Sequence, residues 1–253
     1  HTKMAYYSIF PEKDATIYSH PDRLTMNTGN DEILELVEER GSSDQNHYPS
    51  RILIQFKDSD IKDIFETKIT SDKTSSYSSS LELFSAKYEN IASQFDIEVF
   101  PISESWNEGT GRYSNIPTSS DGCSWIYKDN SVRKTPWITE SFATNTTGSI
   151  ISNIIPRGGG TWYDITALKS SQSFDQVKSI DVKINVTPIT NRFSSSILSN
   201  IGVPNGIPNN GFILKHTNIV EENVSSSKGI LSFFSTDTHT IYPPKLTFKW
   251  DDS

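Results

Sequence analysis

Apolar and polar residues alternate along a stretch in the first half of the chain. Leu81 and Leu83 fall on one face of its first part, and Phe95 and Ile97 fall on one face of its second part. A period of two is the signature of a strand with one buried side and one solvent-facing side. The polar link between the two parts is short enough for a hairpin or a narrow crossover. We therefore predict a central pair of strands here.

The same alternation predicts most of the remaining elements. Further strands are expected at residues 9–18, 33–37, 51–57, 162–166, 180–186, 212–215, 230–234 and 245–250. The clearest helix signal covers residues 58–68, where Asp58 or Ser59 is suited to cap the first turn. Together these elements predict an all-β protein, and specifically an antiparallel jelly-roll β-sandwich with one short helix and long loops.

Two long segments lack a regular pattern. Residues 113–137 hold several large aromatic residues, and residues 188–208 are rich in serine, asparagine, glycine and proline. Both are expected to be surface loops. Residues 1–3 precede Met4 and look like a tag remnant. Residues 4–253 are expected to form one domain, because a single β-sandwich can use a chain of 253 residues.

The charge and cysteine content limit the possible functions. The formal net charge is −8, which argues against binding to nucleic acid and to anionic membrane surfaces. Cys123 is the single cysteine, so an intramolecular disulfide and a cysteine-rich zinc site are excluded. No apolar run reaches the roughly 20 residues of a membrane span. The start lacks a signal-peptide pattern, so we expect synthesis in a cytoplasm and no export through a conventional signal.

The order of several short segments resembles a known family pattern. These segments are DATIY at 14–18, NTG at 27–29, RILIQF at 51–56, SWNEGT at 105–110, WYDIT at 162–166, NGFIL at 210–214 and PPKL at 243–246. Over most of residues 14–251 the chain resembles the DNRLRE-type jelly-roll domains, which are related in shape to carbohydrate-binding modules. It is also similar to virion structural proteins of marine contractile-tailed phages of the cyanophage type. That resemblance implies a virion protein that is made in the host cytoplasm.

Large aromatic residues in the loops are the first candidate site. Trp106, Trp125, Tyr127 and Trp137 are suited to an exposed surface that stacks on a sugar or contacts a protein. The alternative is that these residues cover the end of the core, and large aromatic residues in irregular chain favour that alternative.

A structural calcium ion is the second candidate, and it comes from the resemblance, because jelly rolls of this kind often hold one. Glu12, Asp14 and Asp251 would supply carboxylates if the first and last strands pair. No other cofactor is expected.

The sequence favours a protein without catalytic activity. Glu104, Glu108 and Asp121 are carboxylates in loops, but nothing in the sequence sets the separation that a glycosidase needs. No Gly-x-Ser-x-Gly turn presents a nucleophile. We expect a virion decoration, appendage or tail-associated module that docks through its loops on other virion proteins or on further copies of itself. The alternative is a carbohydrate-binding module that recognises surface glycans during adhesion.

Overall fold

The computed structural model describes residues 3–70, 76–91, 94–114, 120–138, 146–148, 155–175, 181–198, 206–225 and 228–253. Its strands are β1 (Met4–Ile9), β2 (Pro11–Tyr18), β3 (Ile33–Arg40), β4 (His47–Phe56), β5 (Ser78–Leu83), β6 (Ser85–Glu89), β7 (Gln94–Pro101), β8 (Tyr127–Asp129), β9 (Thr135–Pro136), β10 (Thr146–Gly148), β11 (Thr161–Tyr163), β12 (Ser170–Asp175), β13 (Val182–Asn185), β14 (Phe212–His216), β15 (Ile230–Phe234) and β16 (Lys245–Asp251). Within the described residues, no helix combines the length and apolar character that crossing a bilayer requires.

Two antiparallel sheets form a jelly roll, which confirms the predicted fold class. The small sheet has the strand order β1-β16-β5-β13, and the facing part of the large sheet has the order β12-β7-β14-β4. The chain passes between these layers in the order expected of a sandwich built from two Greek keys. The large sheet continues from β4 through β3 and β15 to β6, and β2 also pairs with β4.

The main core lies between the two sheets. Ile52, Ile54 and Phe56 point from β4 into this space, and Leu81 and Phe248 meet them from the small sheet. All five side chains are fully buried. Burial of one such side chain contributes about 1.5–3 kcal/mol, so this layer supplies much of the driving force for folding.

The outer face of the large sheet is buried as well. Leu53 of β4, Ile213 of β14 and Phe100 of β7 point away from the small sheet into a second apolar cluster. The loops between β7 and β11 cover that cluster with tryptophan side chains. The large sheet is therefore the middle layer of three, and consecutive residues of β4 and β14 are buried on opposite faces.

The two strands predicted around Leu81 and Ile97 are present, but the prediction that they form a pair is wrong. Leu81 belongs to β5 in the small sheet, whereas Ile97 belongs to β7 in the large sheet. Between them the chain crosses from one layer to the other, and β6 pairs with β15. Periodicity shows which side chains share a face, but the partner of a strand depends on distant parts of the chain.

The helix predicted at residues 58–68 is confirmed, but its predicted cap is not. Helix α1 (Asp58–Asp63) continues as a π-helical turn, Ile64–Lys68. The residue at the N-cap position is Lys57, and no side chain makes a capping hydrogen bond there. Burial of Ile61 and of the apolar residues that follow it holds the helix in place instead.

The segment at residues 188–208 is not a continuous loop. It begins with helix α2 (Thr187–Ile197), which has a proline in its first turn, where a missing backbone donor is tolerated. Ile189 and Phe193 lie one turn apart and are buried in the main core. Residues 199–205 lie outside the described residues. With α3 (Asn218–Glu222), the described part of the chain has three short α-helices instead of the expected one.

Candidate functional site

The structure buries the predicted tryptophan surface. Trp106, Trp125 and Trp137 are at most 4% exposed and lie in the outer cluster on the large sheet. Each indole N–H donates to a backbone carbonyl; that of Trp125, for example, donates to Pro156 O at 2.9 Å. Tyr127 is half-buried at the start of β8. The three tryptophans therefore occupy core positions, the alternative considered above, because the loops that carry them fold back onto the sheet.

The three predicted calcium ligands do not come together. The first and last strands do pair, but their antiparallel register places Asp251 opposite Met4, at the far end of β1 from Glu12. Asp14 lies on β2 and accepts the Thr236 N–H at 2.7 Å. In the described part of the chain, no group of three His, Cys, Asp or Glu side chains is placed to hold a metal ion.

The loop carboxylates that we considered for catalysis hold the outer layer together. Glu104 accepts from the Lys128 ammonium at 2.7 Å and from the Thr161 hydroxyl at 2.6 Å. The Glu108 carboxylate accepts the backbone N–H of Asp14 at 2.9 Å, and burial raises the pKa of Glu108 to about 7. Asp121 accepts from the Thr110 hydroxyl. Each carboxylate therefore has a structural partner.

A buried ion cluster fixes α3 to the outer face of the large sheet. It consists of Arg51 on β4, Lys215 on β14 and Glu221 on α3, and all three side chains are fully buried. Arg51 Nε and Nη2 lie 3.1 and 2.6 Å from the two oxygens of Glu221. Lys215 Nζ lies 3.3 Å from the same carboxylate. Burial opposes ionisation of Glu221, but the two cations hold its pKa below the ordinary value.

Aromatic rings and hydrogen-bond acceptors surround the two cations of this cluster. The Arg51 guanidinium lies 4.8 Å from the ring centre of Trp125 and 5.1 Å from that of Trp162, within cation–π range. Arg51 also donates to Gly159 O at 2.7 Å. Lys215 donates to a backbone carbonyl and to the Asn218 side chain. The cluster thus has a structural role, and nothing in the sequence alone pointed to it.

A polar cleft lies on the solvent side of β3. We call it the tyrosine–glutamate cleft; Tyr18, Glu35, Val37, Glu39, Tyr113 and Ile230 line it. Its volume is about 580 Å³. Glu35, Val37 and Glu39 alternate along β3 and so share one face. Val37 and Ile230 form an apolar floor with the two tyrosine rings.

Two glutamates of the cleft, Glu35 and Glu39, are each held by a tyrosine. Tyr18 donates its hydroxyl to Glu35 at 2.8 Å, and Tyr113 donates its hydroxyl to Glu39 at 2.6 Å. The two rings are 5.3 Å apart at an angle of 58°. Arg23 Nε donates to both oxygens of Glu39, and its guanidinium lies 4.5 Å from the ring centre of Tyr113. These contacts fix the side chains before any ligand arrives.

The two glutamates differ in charge balance. Glu39 is neutralised by Arg23, whereas the contacts of Glu35 in the described part of the chain are hydroxyl groups of Tyr18 and Ser232. Nearby, burial raises the pKa of Glu38 to about 7. Burial also raises the pKa of Asp31, whose carboxylate accepts the backbone N–H of Tyr113. Five carboxylates line the cleft against two guanidinium groups, those of Arg23 and Arg40. The cleft therefore carries an excess of negative charge beside an apolar floor even where the raised pKa values of Glu38 and Asp31 favour their neutral forms.

Sequence reasoning missed this cleft because its parts are distant in the chain. The alternating Glu35, Val37 and Glu39 are a visible signal, since charged residues flank an apolar one on the solvent face of a strand. Tyr113 joins them only after the loop following β7 folds back. No protein-family model matches the chain, and no curated protein matches it either.

Proposed function

We propose that the chain is a non-catalytic structural module that docks on another protein, and that the tyrosine–glutamate cleft takes up a basic side chain of that partner. The observation that carries this proposal is the Glu35 carboxylate, which is held in place by Tyr18. Among the described residues, its partners are hydroxyl groups and not cations. An ammonium or guanidinium group would supply the missing positive charge.

The energetics favour a cation over a neutral ligand. At an effective dielectric constant of about 20, a unit charge roughly 4 Å from Glu35 is attracted by about 4 kcal/mol before desolvation is counted. The Tyr113 ring and the floor of Val37 and Ile230 suit the aliphatic stem of a lysine or arginine. Because the hydrogen bonds to Tyr18 and Ser232 already order Glu35, little side-chain entropy is lost on binding.

The nature of the partner follows from the resemblance to phage virion proteins. On that basis we propose that the partners are other virion proteins, and that the chain is a capsid decoration, an appendage or a tail-associated module. Mass spectrometry of purified particles tests this assignment separately from the cleft. Absence of the chain from particles that contain the other structural proteins would refute the virion assignment.

Glycan recognition is the second candidate function. The buried tryptophans no longer support it, but the Tyr113 ring beside two carboxylates does, because sugar hydroxyl groups donate to carboxylates while C–H faces stack on aromatic rings. In this alternative the same cleft would bind a neutral oligosaccharide.

Titration calorimetry distinguishes these functions. The probes are a capped hexapeptide containing lysine and arginine, the same peptide with glutamine at both positions, and a panel of neutral oligosaccharides. We expect the basic peptide alone to bind, and Glu35→Gln to weaken it at least about tenfold, since glutamine keeps the contact with Tyr18 but not the charge. Glu222→Gln, at an exposed position of α3, is the matched control.

Any other outcome of the calorimetry would contradict the proposed role of the cleft. Binding of an oligosaccharide without the basic peptide would replace the proposed function with glycan recognition. No binding of either probe, or equal binding of the peptide by the wild type and Glu35→Gln, would overturn the role of the cleft.

A further inference from the structure

The edge strand β1 exposes an unusual amount of apolar surface. It pairs with β16 on one side and has no strand on its other side in the described part of the chain. Met4, Tyr6 and Tyr7 are 38%, 63% and 41% exposed, and Phe10, just after the strand, is 54% exposed. Such an edge presents backbone N–H and C=O groups that another strand can pair with.

Two other terminal strands of the main sheets carry charged residues that discourage such pairing. Among the described residues, β13 contains Lys183, and β6 contains Lys87 and Glu89. Strand β1, with the sequence MAYYSI, contains none. Natural proteins commonly protect edge strands with charged side chains, and β1 lacks that protection.

The size of this surface fits half of a dimer interface. At roughly 200 Å² for each large side chain, the four exposed fractions correspond to about 400 Å². A stable interface buries about 800 Å² on each partner, so these side chains account for about half of that area, and the paired edge backbone would add to it. Met4 and Tyr6 lie on one face of the strand and Tyr7 on the other, so the exposed apolar area flanks the free backbone edge on both sides.

We propose that β1 pairs antiparallel with β1 of a second copy of the chain, which joins the two small sheets across a twofold axis. A twofold axis brings the same patch of both copies together, so the surface has to be complementary to itself. Strand β1 itself has no charged side chain, so its own residues set no like charges against one another across the axis. The ammonium groups of Lys249 and Lys68 lie 5.5 Å from the ring centres of Tyr6 and Tyr7, respectively. Tyr6 and Tyr7 lie at the centre of the paired segment.

The overall charge predicts how salt affects this dimer. Two chains with a formal net charge of −8 each repel one another, and added salt screens that repulsion. The dimer should therefore become tighter as salt increases. Binding of a basic peptide in the tyrosine–glutamate cleft should become weaker under the same conditions, so failure of one proposal is distinguishable from failure of the other.

Sedimentation equilibrium of the full chain over a range of concentrations tests the proposal. We expect a monomer–dimer equilibrium that shifts at least about tenfold toward monomer in the double variant Tyr6→Lys/Tyr7→Lys. The control is Tyr88→Lys on β6, where an equally apolar and 53% exposed residue lies on a charged edge. A thermal melt of each variant shows that it is folded.

Three results would overturn the proposal. They are a wild-type chain that stays monomeric at millimolar concentration, a double variant that dimerises as the wild type does, and equal loss of dimer in Tyr88→Lys, which would indicate non-specific association.

Discussion

Replacement of Glu221 by glutamine tests the buried ion cluster most directly. The Glu221 carboxylate is the shared partner of Arg51 and Lys215, and all three side chains are fully buried. Glutamine has nearly the same shape, but it removes the negative charge that both cations contact. Removal of one partner of a buried ion pair typically destabilises a protein by about 3–5 kcal/mol, because a charge is left without compensation.

We therefore expect Glu221→Gln to lower the free energy of unfolding by about 3–5 kcal/mol, a large part of the roughly 5–15 kcal/mol of a typical domain. Urea unfolding followed by tryptophan fluorescence measures this loss, and Trp125 and Trp162 report on it because both rings contact Arg51. The control, Glu222→Gln, changes an exposed residue of the same helix and should stay within about 0.5 kcal/mol of the wild type.

A second comparison separates charge from packing. Substitution of all three members of the cluster by methionine removes every charge and keeps an apolar volume, so it should destabilise the protein less than Glu221→Gln alone. A loss below about 1 kcal/mol for Glu221→Gln, or a triple variant less stable than the single one, would refute the electrostatic reasoning.

Three further predictions concern pH and backbone conformation. Burial lowers the pKa of His216 from 6.5 to about 4, so the unfolded chain binds more protons between these values; stability should fall by about 3 kcal/mol as pH decreases through that range, and urea unfolding of His216→Phe should lose this slope. Burial raises the pKa of Glu108 to about 7, so its ionisation opposes folding at higher pH. Partial exposure of Glu108 screens this effect, so Glu108→Gln should be only about 1 kcal/mol more stable than the wild type near pH 8. Near pH 4, where the Glu108 carboxyl is protonated, the two proteins should be equally stable. Gly109 has φ +79°, and a Cβ there would lie 2.5 Å from Asn27 Oδ1; Gly109→Ala should lose at least about 2 kcal/mol in thermal denaturation, and an unchanged melting temperature would contradict this geometry.

Local sequence pattern predicts the fold class well in this chain. The alternation of Ile52, Ile54 and Phe56 with Leu53 marks β4 because a strand has a period of two, and that period holds wherever the strand lies. It also leads to the correct class of sandwich. Helix α2 is missed because serine, threonine and asparagine are weak helix formers, and burial of Ile189 and Phe193 overrides their preference.

Contacts between distant segments explain what the sequence does not predict. Residue type alone does not tell whether Trp125 lies on a surface or in a core; that depends on how the loops fold over β4 and β14. The cleft is missed for the same reason, since Glu35 and Tyr113 belong to segments far apart in the chain. The ion cluster requires β4, β14 and α3 to be adjacent, which no local pattern indicates.

The burial of the large sheet on both faces has a consequence for cooperativity. Backbone amides of β4 and β14 are paired within the sheet and covered by a core on each side, so their hydrogens should exchange only when the whole molecule opens. The aromatic outer layer cannot detach without exposing Leu53 and Ile213 to water. Both layers should consequently melt in a single transition, with no intermediate that retains one of them.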